Sequence, residues 1–101
     1  MLNGLPYRVS WSRKAREALY AAASADTSRE LARRARTVDE RLSLNPLAFG
    51  EVYRIRGAVE ERLAVLDFLA VDFAVDVQRR FVWVRTCHLL SRHGSNGDGN
   101  A

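Results

Sequence analysis

Two long apolar runs, Leu63–Val75 and Phe81–Cys87, lie near the C-terminal end of the chain, with only Asp76-Val77-Gln78-Arg79-Arg80 between them. Apolar runs on either side of a short polar break read as a strand–turn–strand unit with one face buried. Ahead of them, Ser12 to Leu44 has helical periodicity and carries many arginines. A strand, basic helices and a closing hairpin make a small α+β layout.

At 101 residues, 48% of them hydrophobic and 28% charged, the chain is predicted to be one domain with a packed core that needs no disulfide staple. Cys87 is the only cysteine, which excludes an intrachain disulfide and a cysteine-based metal site and suits a reducing cytoplasm. Met1 to Pro6 lacks the charged and apolar segments of a signal peptide. Leu63 to Val75 is interrupted by Asp67 and Asp72 and is too short to span a bilayer. The expectation is a soluble cytoplasmic protein without a membrane partner or a cofactor. Net charge is +4, and the positive charge is almost all arginine, fifteen of them with the single Lys14 against twelve acidic residues. That excess is what codon bias in a GC-rich genome would leave. It also suits phosphate or carboxylate recognition, because a guanidinium fork binds such groups bidentately where an ammonium cannot.

Along the chain, Tyr7, Val9 and Trp11 alternate with Arg8, Ser10 and Ser12, which predicts a half-buried opening strand. Ser12 suits the N-cap of a helix to about Ala23 with Ala15, Ala18, Leu19 and Ala22 as its apolar stripe. Thr27-Ser28-Arg29-Glu30 fits a capping box, and Leu31, Ala35, Val38 and Leu42 follow at helical spacing. Asn45-Pro46 ends that second helix, since the residue before proline is pushed out of the α region. Glu51 to Ile55 is a short strand candidate. Arg62 to Asp76 is expected to be one long strand, with Leu63, Val65, Leu69, Val71, Phe73 and Val75 on one face and Asp67 as the exception. Phe81 to Cys87 is the clearest strand. Residues 1–90 are expected to form the domain, and the Gly-, Ser- and Asn-rich residues 91–101 a flexible tail.

The order of these elements resembles the RelE/ParE family of bacterial type II toxins. The resemblance is carried by Tyr7-Arg8-Val9-Ser10-Trp11-Ser12 with Ala15, by Leu42-x-x-Asn45-Pro46, and by Gly50-Glu51-x-Tyr53-Arg54-Ile55-Arg56-Gly57. Arg62-Leu63, Val71-Asp72-Phe73-Ala74-Val75-Asp76 and Val82-Trp83-Val84-Arg85-Thr86-Cys87-His88 complete it. It spans about Tyr7 to His88 and implies a β-α-α-β-β-β fold: an N-terminal strand, an α-hairpin and a small antiparallel sheet. It further implies a toxin that cuts ribosome-bound mRNA, or one that poisons DNA gyrase, neutralised by a cognate antitoxin in a heterotetramer or beside a homodimer. A non-catalytic protein- or RNA-binding domain on the same fold is the reading from a different class.

Such cleavage needs cations on the phosphate and a group that moves protons. The matching positions here are Arg54 and Arg62, and Arg85 stands in the final strand. The arginine that the family often has midway along its third strand is replaced by Ala70 or Leu69. The family's C-terminal tyrosine is absent, and His88 stands near its place as a candidate acid or base. Arg29, Arg33 and Arg36 on the second helix, with Arg79 and Arg80 in the polar break, are candidate nucleic-acid contacts; a solvated helix face is the simpler account of the first three. By strand parity Arg85 shares a face with Phe81, Trp83 and Cys87, and either face of the sheet could be the one against the helices. Leu66, Phe68, Ala70 and Ala74 are apolar on the face opposite Leu63 and Val65, which predicts a cover from an antitoxin segment or a second copy of the chain.

Overall fold

The computed structural model describes residues 5–23 and 28–90. Their order is β1 (Arg8–Trp11), α1 (Arg13–Ala22), α2 (Ser28–Leu44), a 3₁₀ turn (Pro46–Ala48), β2 (Glu51–Arg56), β3 (Val59–Leu66), β4 (Leu69–Asp76) and β5 (Phe81–Leu89). The strands form one five-stranded sheet in the order β1-β5-β4-β3-β2. β1 runs parallel to β5, and the remaining neighbours are antiparallel. The α+β class with its leading strand and helix pair is the expected one, and the sheet has one strand more than expected. The capping box at Thr27 and the tail after Leu90 lie outside the described residues.

The extra strand comes from a turn inside the long apolar run. Leu66 pairs with Leu69, so Asp67 and Phe68 form a two-residue connection. Asp67 has φ 57, a left-handed conformation that a short polar side chain tolerates better than most. Its carboxylate takes Arg34 Nε from α2 at 2.7 Å, which pins the turn to the helix layer. Asp67, the exception to the strand pattern, is where the chain reverses.

That reversal changes which residues share a face. Ala64 opposes Val71 and Arg62 opposes Phe73 on the helix side, while Leu63 opposes Asp72 and Val65 opposes Ala70 on the open side. Leu63 and Val65 are therefore 47% and 53% exposed, whereas Phe68 is buried and Leu66 packs on the core. The expected apolar face is thus corrected: Ala70 and Ala74 belong to the open side, Leu66 and Phe68 do not.

The core lies between the helices and the inner face of the sheet. Ala15, Leu31, Val38 and Leu42 meet Leu69, Val71, Phe73, Val75, Val82, Val84 and Cys87. Ser12 caps α1 as expected, its Oγ accepting from the Ala15 amide at 3.0 Å. The same hydroxyl donates to the carbonyl of Arg85 at 2.8 Å and so fastens the helix start to β5. Trp11 Nε1 donates to Asp39 of α2 at 2.9 Å. Gly50 sits where β2 leaves the helix layer; with φ +72, a Cβ there would lie 2.3 Å from the Leu63 carbonyl oxygen. Only glycine suits both the conformation and the approach.

Candidate functional site

Two β-bulges build the most polar feature of the open face. On β2 the pairing steps from Val52↔Arg62 to Arg54↔Glu61, which leaves Tyr53 as the extra residue. On β5 it steps from Thr86↔Asp72 to Val84↔Phe73, which leaves Arg85 extra. A bulge re-aims its side chain and resets the alternation beyond it. Arg85 faces the open side with Phe81 and Trp83, and the reset beyond it sends Cys87 into the core, its thiol 3.3 Å from the Ala15 carbonyl and its pKa raised by burial. The parity that grouped Arg85 with Cys87 fails at this bulge.

The two bulged residues meet. Arg85 Nη2 donates to Tyr53 Oη at 2.6 Å, and the phenol donates to Asp72 Oδ1 at 2.8 Å. The same Nη2 lies 3.0 Å from Glu61 Oε1 and 3.1 Å from Asp72 Oδ1. Arg56 reaches the other Glu61 oxygen through Nε at 2.8 Å and Nη2 at 2.7 Å, and Arg54 stands 3.6 Å from Oε1. Glu61 is thus a carboxylate with 2% of its side chain exposed, roofed by three guanidinium groups that are 37–63% exposed.

The electrostatics follow from this arrangement. The hydrogen bond from Arg56, with that from Arg85 and the charges of Arg54 and Arg56, outweighs burial and lowers the Glu61 pKa. Glu61 is therefore ionised at neutral pH. The Tyr53 phenol is raised, by burial first and then by the Asp72 carboxylate, so it keeps its proton. Burial opposes the charge on Arg85, but its bonds to Asp72 and Glu61 prevail and raise its pKa.

Of the four candidate catalytic residues, Arg54 and Arg85 are brought together here. His88 is exposed on the same open face, opposite Ala70. Arg62 is not in the site: it is 8% exposed on the helix side, donating to the Phe49 and Gly50 carbonyls at 3.2 and 3.0 Å and to Glu60 at 2.6 Å. It holds the loop that leads into β2. Arg29, Arg33 and Arg36 are exposed on α2, away from the open face, whereas Arg79 and Arg80 line a pocket at the β1–β5 end of that face. Arg56, Glu61 and Asp72 were not singled out from the sequence. Their signals were charged residues inside strand patterns, Arg54-x-Arg56 and Glu60-Glu61 among them. Among the described residues no group of three His, Cys, Asp or Glu is placed to hold a metal ion, and no helix is long and apolar enough to cross a membrane.

No family model and no curated protein matches the chain. Solved structures do. A chain of the toxin–antitoxin complex RelBE2 of Mycobacterium tuberculosis superposes with a TM-score of 0.66 at 21% identity, covering 84% of this chain and 92% of that one. A chain of the archaeal RelE–RelB complex of Pyrococcus horikoshii gives a TM-score of 0.68 at 18% identity, covering 85% of this chain and 97% of that one. The fold is that of the RelE toxins. In this RelE-like chain the arginines of the open face surround a carboxylate of their own.

Proposed function

We propose that this chain is the cytoplasmic toxin of a toxin–antitoxin pair and acts on ribosome-bound mRNA, promoting attack of a ribose 2′-OH on the neighbouring phosphate. The likeness to chains solved in toxin–antitoxin complexes supports the antitoxin as partner. The observation that carries the chemistry is Glu61, an ionised carboxylate beneath Arg54, Arg56 and Arg85.

Arg54 and Arg56 are more than half exposed and can turn from Glu61 to an incoming phosphate. Their departure uncovers Glu61 and removes two of the three cations that lower its pKa, the Arg56 bond foremost, making it a stronger base as substrate arrives. Glu61 then accepts the 2′-OH proton while the 2′-oxygen bonds to phosphorus. The bond from phosphorus to the 5′-oxygen breaks, and that oxygen takes the proton of Tyr53. Arg85, already bonded to the phenol, stabilises the phenolate left behind. The products are a 2′,3′-cyclic phosphate and a 5′-OH end, and solvent exchange restores both protonation states.

A second reading, binding without cleavage, is favoured by the pairing itself: three arginines against Glu61 and Asp72 leave one net positive charge on the cluster. That reading includes gyrase poisoning. Induced expression separates them. Growth arrest with cut mRNA supports the nuclease, and loss of cutting in Glu61→Gln ties it to this site. Arrest with DNA damage and intact mRNA selects gyrase, and normal growth selects a non-catalytic binder.

A further inference from the structure

The open face holds a second basic site. At the β1–β5 end, Pro6, Arg8, Arg79, Arg80, Phe81 and Trp83 line a pocket of about 570 Å³. Arg8 opposes Phe81 across the parallel β1–β5 pair, so both project to the open side. Phe81 and Trp83 meet edge to face with centroids 4.3 Å apart, and Trp83 remains 38% exposed. Arg80 is set in place by stacking 4.2 Å over the Tyr7 ring and donating to the Leu5 carbonyl. Arg79 is 81% exposed, with Asp76 no nearer than 3.9 Å to its guanidinium. Arg8 has no ion pair among the described residues.

Guanidinium groups beside an open indole form a site for a base and its phosphate: the ring offers a stacking face to any base, and the cations track the backbone. The pocket also lies in register with the Glu61 cluster. Glu61 opposes Ala74, Ala74 opposes Trp83 and Trp83 opposes Ser10, one row across the sheet. Two strand spacings separate Trp83 from Glu61, roughly 10 Å, and only the small Ala74 stands between them.

We infer that this pocket is a nucleotide subsite for single-stranded RNA, with a base stacked on Trp83 and its phosphate on Arg8 and Arg79, adjoining the strand at Glu61. The role of the adjoining site rests on the RNA-directed reading above; binding of an uncleavable strand is measured, so the two fail separately. The probe is a fluorescent 2′-O-methyl hexanucleotide, which has no free 2′-OH to attack, titrated by anisotropy into the full chain. Trp83→Ala is expected to weaken binding roughly tenfold, while Trp83→Phe retains most of it. Arg8→Ala with Arg79→Ala should lower the slope of log affinity against log salt by about 1.4. All of these positions are at the surface, and a circular dichroism melt verifies the fold of each variant. Unchanged affinity in the folded variants overturns the subsite even if the wild type cuts mRNA. Stronger binding of a hexaglutamate peptide than of the oligonucleotide overturns it too, because the pocket would then recognise protein carboxylates.

Discussion

Tyr53 and Arg85 are each the unpaired residue of a β-bulge, on strands separated by the β3–β4 hairpin, and their side chains meet at 2.6 Å over that hairpin. The bulges aim a phenol and a guanidinium at one point between Glu61 and Asp72, which joins a proton donor to a cation beside an ionised carboxylate.

Tyr53→Phe removes the bridging hydroxyl and little else, because the ring is 48% exposed. The stability change should stay within about 1 kcal/mol, while mRNA cleavage falls by roughly a hundredfold if the phenol is the proton donor. Cleavage assayed alongside a denaturant melt separates the two effects. Full activity in the variant assigns the proton to another group.

Acid should weaken the fold through Glu61. Its folded pKa is lowered, so below about pH 4.3, the ordinary glutamate value, the unfolded chain binds the proton first. The stabilisation is fully present above that pH and is lost as pH falls through the folded pKa. Urea melts from pH 7 to pH 3 should show a steeper loss for the wild type than for Glu61→Gln, which starts less stable. Parallel profiles would exclude Glu61 as the source.

Arg62→Met tests the separation of that arginine from the site. Its loss removes charged donors to two backbone carbonyls and Glu60, a cost of about 2 kcal/mol. Folded Arg62→Met protein should still cut mRNA, whereas Arg85→Ala should not. A folded but inactive Arg62→Met variant would place Arg62 back in the chemistry.

Gly50→Ala should destabilise the fold by at least about 1–2 kcal/mol, from the left-handed backbone alone, with the clash against the Leu63 carbonyl added to it. Because Gly50 also presents its carbonyl to Arg62, the β2 amides should exchange faster in Gly50→Ala than in the wild type. Unchanged β2 exchange in the variant would show that the loop does not position β2.

Local patterns in the sequence were enough for the elements whose signals are local. Ser12 caps α1, Pro46 ends α2, and Phe81–Cys87 is a strand, because capping, proline sterics and alternation act within a few residues. Along the sequence β3 and β4 look like one strand, since Leu66, Phe68 and Leu69 hide the reversal at Asp67 behind apolar side chains. Arg62 carries the same local signal as Arg54 and Arg85, and Glu60-Glu61 does not by itself show which carboxylate is buried. Which face Arg54, Arg56 and Arg62 occupy depends on hairpin register and on the β2 bulge, and those are decided by pairing between neighbouring strands, which alternation along a single strand does not report. Composition and periodicity thus determined an α+β chain rich in arginine; only the packed sheet decided that three of those arginines would close over a buried carboxylate.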